Sequence, residues 1–226
     1  SLQKILRQEW VESSLSNLEQ EEPEELMMHP LRLALEVQSV MNQNDWLVID
    51  GGNTHFWSEI AVNIAGAQGN QLAGILHPGS FSMLGVGVSF GLAAKLNHPK
   101  DRVVVISGDG AFLSGGLSIE AAFQENVPIT VVIDNNGGLT TISQQQERLF
   151  ADERHVATDF RDIPFHTMFK GMGGHGELVE KPEDLKPALE RALSSGKTAC
   201  VNVRTRSAIS PIVLATTSKR DKASIE

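Results

Sequence analysis

Two uninterrupted apolar runs, VVVIS at 103–107 and ITVVID at 129–134, restrict this chain more than anything else in it. Each is short, rich in β-branched residues and closed by a polar glycine turn. Gly108-Asp109-Gly110 follows the first, and Asn135-Asn136-Gly137-Gly138 follows the second. Strands that are apolar on both faces belong to a parallel sheet covered by helices on both sides. Parallel neighbours need a crossover, and 114–125 (SGGLSIEAAFQE) supplies a helix between them.

The same alternation runs along the rest of the chain. HPLRLALEVQSVM reads as a helix with Pro30 in its first turn, and strand WLVID (46–50) ends in Gly51-Gly52-Asn53. A polar, glycine-rich stretch comes next, then a small-residue helix at 83–96. After the two central strands, helix 162–171 leads to strand GELVE, helix EDLKPALERALSS and strand TACVNVRT. This order predicts an α/β, doubly wound fold with helices on both faces of a mostly parallel sheet of about six strands. Residues 139–160 read as a polar, irregular loop, or a segment that orders on a ligand. Three regions are expected: a linker helix from an upstream domain over 1–25, the α/β domain over 26–206, and a polar tail over 207–226.

Composition excludes several classes. The 226 residues carry a formal net charge of −9, the opposite of a nucleic-acid footprint. No run approaches the ~20 apolar residues of a membrane span. A lone cysteine, Cys200, cannot make an internal disulfide, and its apolar neighbours mark it as core. Cytoplasm is the expected compartment.

The chemistry concentrates at the two strand ends. In an open parallel sheet, ligands gather beyond the carboxyl ends of the strands. One crossover between neighbours brings Asp109 and Asn136 to one rim. A carboxylate from Asp109, an amide oxygen from Asn136 and a backbone carbonyl from Gly138 suit Mg²⁺, which takes oxygen ligands and shares phosphate oxygens. Gly110 and Ala111 open the next helix, where free N–H groups favour an anion. Lysine and arginine are absent from 33–94 and from 103–147, which rules out a Walker-type phosphate loop with its lysine. An anionic ligand would be held by metal and backbone dipoles.

Gly-Asp-Gly followed about two dozen residues later by Asn-Asn resembles the thiamine-diphosphate signature. GDGAF, IDNNGG, LGVGVSFGLAAKL and HTMFKGMGG…ACVNV occur in the family's order. From about Leu26 to Thr205 the chain resembles the C-terminal, diphosphate-binding domain of the acetolactate synthase, benzaldehyde lyase and 2-hydroxyacyl-CoA lyase family. The resemblance implies thiamine diphosphate and Mg²⁺ as cofactors. It implies metal ligation by Asp109, Asn136 and Gly138, and diphosphate contacts by Gly108, Gly110, Ala111, Gly52, Asn53 and Thr54. It implies that Leu84 wedges between the cofactor's rings. The Ser82 carbonyl and Leu84 N–H would hold the aminopyrimidine edge, while Leu139, Thr141 and Ile142 line the thiazolium side. Departures are Ser82 and Thr140 where glycine is common, and Asn53-Thr54-His55 in place of Gln-His-Gln.

The family's catalytic glutamate lies on a separate pyrimidine-binding domain, so no catalytic residue is expected here and the isolated chain should be inactive. The implied enzyme cleaves or forms C–C bonds next to a carbonyl, on a small 2-keto or 2-hydroxyacyl substrate. Its partners are a pyrimidine-binding domain and further copies in a homodimer or tetramer. Two alternatives stay open. Gly108-Asp109-Gly110 with Asp134 at the next strand end also suits an NAD(P)-binding domain, although Leu113 stands at the third glycine's place. A non-catalytic interaction or regulatory domain could keep the same fold. Asp109 could also be a plain helix cap, and the Asn-Gly run a plain turn. His55 and His77 lie near the presumed cleft and are read as partly exposed polar residues.

Overall fold

The computed structural model describes residues 27–149, 155–211 and 213–214. The linker helix expected over 1–25 lies outside the described residues, as do 215–226. A six-stranded, all-parallel sheet runs through the domain in the order β2-β1-β3-β4-β6-β5. Its strands are β1 (Trp46–Asp50), β2 (Gly74–Leu76), β3 (Val103–Gly108), β4 (Thr130–Asn135), β5 (His175–Val179) and β6 (Ala199–Arg204). Helices α1 (Pro30–Val40), α2 (Asn53–Ala67) and α3 (Gly87–Asn97) come before β3. Then follow α4 (Asp109–Gly115), α5 (Glu120–Gln124), α6 (Thr140–Leu149), α7 (Phe165–Gly171) and α8 (Pro182–Ser194).

The alternate side chains of each central strand enter opposite cores, as strand geometry requires. Leu47, Ile49, Val104, Ile106, Val132 and Val201 pack with Val37 of α1 and Leu185 and Leu189 of α8. Val48, Val103, Val105, Val131, Ile133 and Cys200 pack with Val88 of α3 and with Phe112, Phe165 and Phe169 on the other face. Both faces are dry, which is why VVVIS and ITVVID show no polar alternation. Cys200 is fully buried, and burial pushes its thiol far above the ordinary value. It is a core residue.

Four expectations need correction. The polar, glycine-rich stretch after Asn53 contains the 15-residue α2 and the short β2. Trp57, Ile60, Ala61 and Ile64 form the buried stripe of α2 against α1, a 3.6-residue periodicity masked by intervening polar residues. The expected helix 114–125 is broken into α4, a 3-10 turn (Gly116–Ile119) and α5, with Gly115-Gly116 at the break. The small-residue helix starts at Gly87 rather than 83. Most consequentially, 140–149 is the helix α6 and not an irregular loop. Its inward residues Thr140, Ser143 and Gln144 are buried but polar, so no apolar stripe announces the helix.

The chain leaves β1 toward β2 at one edge and returns to β3 on the opposite side of β1. The carboxyl ends of β1 and β3 therefore flank the point where strand order reverses. A crevice for a ligand opens there.

Candidate functional site

A cavity of about 650 Å³ occupies that crevice. It is lined by segments following four adjacent strands: 51–56 and Glu59 after β1, residues 77–84 after β2, 108–111 after β3 and 136–142 after β4. Every residue expected at a cofactor lines it: Gly52, Asn53, Thr54, Ser82, Leu84, Gly108, Asp109, Gly110, Ala111, Asn136, Gly138, Leu139, Thr141 and Ile142. Among the described residues, no lysine or arginine does.

Register explains the convergence of the metal-type ligands. Gly108 pairs with Asp134, so the turns after β3 and β4 start side by side. Asp109 is 2% exposed. One of its carboxylate oxygens accepts the Gly110 N–H at 2.7 Å. The other accepts Gly137 N–H at 2.8 Å and Gly138 N–H at 3.0 Å. Burial first, and the neighbouring Asp134 second, push its pKa up to about 7 despite those donors. The carboxylate is short of positive charge. The side-chain oxygen of Asn136 is buried and has no hydrogen-bond partner. Gly138 holds the turn in place: a Cβ there would lie 2.3 Å from the Thr158 carbonyl oxygen. Its own carbonyl accepts Thr140 N–H at 2.9 Å, leaving a second lone pair.

An orphaned amide oxygen and an under-compensated carboxylate lining one cavity are the kind of donors a hard cation satisfies. The start of α4 and of α2 both face this cavity; there the Gly110 N–H donates to Asp109 and the Asn53 N–H to Thr141 at 3.0 Å, and the N–H groups that follow them suit an anion. The residues present fit a magnesium–diphosphate group.

The structure gives other side chains different duties. Asn53 donates to Gln144 at 2.8 Å and accepts Ser210 N–H at 3.4 Å, so its amide is turned to α6 and to 207–210. Gln144 is thus a structural partner, also donating to Ser207 at 2.9 Å. Thr54 donates its hydroxyl to Asp134 at 2.7 Å, and Thr205 donates to the other oxygen of the same carboxylate. Asp134 is fully buried, and burial holds its pKa above the usual carboxylate range. Leu84 is 39% exposed within the cavity. Ser82 has φ 47°, in the left-handed region that favours glycine.

Asp50 was missed from the sequence. Its carboxylate closes β1 and accepts Gly87 N–H at 2.7 Å and Gly85 N–H at 3.1 Å, tethering the segment that carries Leu84. An acid ending an apolar strand was the available signal.

Fold and site together define a phosphate-cofactor domain of the doubly wound α/β class, with a metal-type oxygen cluster at its switch point. The chain belongs to the family described as thiamine pyrophosphate enzyme, C-terminal TPP binding domain, which it matches over residues 50–203. It is 35% identical over 180 residues to the probable acetolactate synthase of Mycobacterium bovis, covering 79% of this chain and 31% of that protein. It is 28% identical over 176 residues to the catabolic acetolactate synthase of Raoultella terrigena, covering 78% and 30%. To 2-hydroxyacyl-CoA lyase 2 of Mus musculus it is 30% identical over 174 residues, covering 76% and 26%. The chain thus spans under a third of the length of these curated relatives. Thiamine diphosphate and Mg²⁺ are the family's standard cofactors, and the dinucleotide alternative is set aside. Among the described residues, no helix is long and apolar enough to cross a membrane.

Proposed function

We propose that this domain holds the diphosphate of thiamine diphosphate through Mg²⁺, within an enzyme that cleaves or forms C–C bonds beside a carbonyl. The domain is assigned to 26–206. The single observation that carries the reading is the buried, unpartnered side-chain oxygen of Asn136, in the turn whose Gly137 and Gly138 N–H groups bond the buried carboxylate of Asp109. Asp109 and Asn136 supply side-chain oxygens to the metal and Gly138 a carbonyl. The Ala111 N–H and those of the first turn of α2 beyond Asn53 receive phosphate oxygens, with Gly110, whose N–H donates to Asp109, lining the same wall. Leu84, held by Asp50, supports the bend between the two rings, and Leu139, Thr141 and Ile142 wall the thiazolium side. When bound, thiamine diphosphate supplies a thiazolium that acts as an electron sink for a carbanion next to a carbonyl.

The substrate class is a small 2-keto acid or 2-hydroxyacyl compound, in keeping with what the relatives are named for. The lining residue Ile142 is exposed, and so are Phe81 and Met83, which flank the lining residue Ser82 in sequence; such apolar groups suit cover by a pyrimidine-binding domain of the same or another chain. That domain would bring the catalytic glutamate, so the isolated chain is inactive. The full enzyme is a dimer or tetramer.

Calorimetry with Mg²⁺–thiamine diphosphate tests the reading. Saturable, Mg²⁺-dependent binding that disappears in Asp109→Ala supports it. Binding unaffected by Asp109→Ala and by removal of Mg²⁺ would overturn it.

A further inference from the structure

His55, Glu59 and His77 meet at the rim of the same cavity, apart from the oxygen set of Asp109, Asn136 and Gly138. His55 and Glu59 lie one turn apart on α2 and share a face of it. His55 Nε2 is 3.0 Å from a Glu59 carboxylate oxygen. His77 arrives from a different element, the segment after β2, and its ring meets that of His55 edge-on with centroids 5.2 Å apart. One ligand-competent atom from each residue lies within 4.8 Å of the other two. Among the described residues, Glu59 has no lysine or arginine partner, and its ion-pair contact is with His55.

We propose that these three side chains form a second cation site, for a transition-metal dication of the Zn²⁺ or Co²⁺ kind. Two imidazoles and a carboxylate suit such ions, whereas Mg²⁺ selects an all-oxygen shell. With metal–ligand bonds of about 2.0–2.2 Å, tetrahedral ligand atoms stand roughly 3.4 Å apart. The His55–Glu59 spacing is already close to that, and His77 is an exposed side chain able to close the remainder by rotation. The ion takes the place of the His55–Glu59 hydrogen bond. His77 gives up one exposed hydrogen bond, the Gly79 N–H that its Nδ1 accepts at 3.2 Å. Three protein ligands leave a coordination position open to water or to an anionic oxygen. In a cavity that no lysine or arginine among the described residues lines, this ion would be an anchor for the carboxylate or phosphate of a bound molecule.

The test uses the whole chain, with Mg²⁺ in excess to occupy the oxygen site, titrated with Co²⁺ and followed by its visible ligand-field absorption. The expected result is a band that saturates at one equivalent, is displaced by Zn²⁺ and persists in Asp109→Asn. His77→Ala, at an exposed position, and Glu59→Ala, at a half-buried one, should each weaken Co²⁺ binding by roughly a hundredfold or more, with unchanged far-ultraviolet circular dichroism. Absence of a saturating band overturns the proposal. So does Co²⁺ binding that is as tight in both variants as in the parent, which would leave the trio a hydrogen-bonded surface cluster. Loss of the band in Asp109→Asn would equally overturn it, by placing the ion in the oxygen site. None of these outcomes depends on thiamine diphosphate, so failure here is distinct from failure of the cofactor assignment.

Discussion

The carboxylate of Asp109 accepts the backbone N–H of Gly138 at 3.0 Å, joining the first residue after β3 to the turn after β4. A single side chain thereby shapes the turn that carries Asn136 and also presents the charge that a cation would neutralise. These two duties separate under substitution. In Asp109→Asn the amide oxygen can still accept the Gly137 and Gly138 N–H groups and the buried charge is gone, but the amide nitrogen leaves the Gly110 N–H without its acceptor. The two effects oppose, so stability without cofactor should change by no more than about 1–2 kcal/mol, measured by urea denaturation, while calorimetry should show Mg²⁺–thiamine diphosphate binding lost.

Asn136→Ala is expected to behave in the same sense for a different reason. Its side-chain oxygen is buried without a partner, a situation that costs about 1–3 kcal/mol. Removing it should not destabilise the metal-free chain, yet it should weaken Mg²⁺-dependent cofactor binding. A fall in stability larger than the gain from lost desolvation would show that the oxygen has a protein partner.

Gly138→Ala should act on the fold first. The new Cβ would meet the Thr158 carbonyl oxygen at 2.3 Å, a backbone atom that cannot swing aside. Overpacking of this kind costs about 1–3 kcal/mol. The thermal midpoint should drop, and faster amide exchange should appear at Leu139 and Phe160, whose N–H groups bond Thr158 and Gly137 across the same strip.

Asp50→Ala would strip acceptors from the N–H groups of Gly85 and Gly87. Leaving these partly buried donors unpaired should cost about 1–3 kcal/mol. Hydrogen exchange should accelerate at those two amides, and cofactor affinity should fall because Leu84 is no longer held. Unchanged exchange at Gly87 would refute the tether.

A pH effect is expected far from the cavity. Arg191 hydrogen-bonds Glu177 at 2.9 Å and holds its pKa below the ordinary glutamate value, with His175 assisting. A depressed carboxylate contributes stability that is present above the unfolded-state pKa and lost as pH falls through the folded-state one. Arg191→Ala should therefore lower stability near neutrality, and only slightly, because Arg191 is exposed and solvent screens the pair. The difference from the parent should vanish in acid below the glutamate range, as denaturation curves across pH would show.

The domain's class and the position of its site could be read from the chain because both depend on local pattern. VVVIS and ITVVID each declare a strand buried on both faces, and the glycine turns after them declare where backbone approaches a ligand. One helix between them is enough to make β3 and β4 neighbours, so Asp109 and Asn136 could be placed on one rim from spacing alone. Tertiary structure decided the rest, because the deciding partners are remote in sequence. Thr54 reaches Asp134 across 80 residues, Asn53 reaches Gln144 across 91 and Ser210 across 157. Those contacts turn the Asn53 and Thr54 side chains inward and fold 140–149 into a helix whose buried face is polar. A hydrogen bond between distant residues leaves no periodicity in the chain, whereas burial of an entire face does.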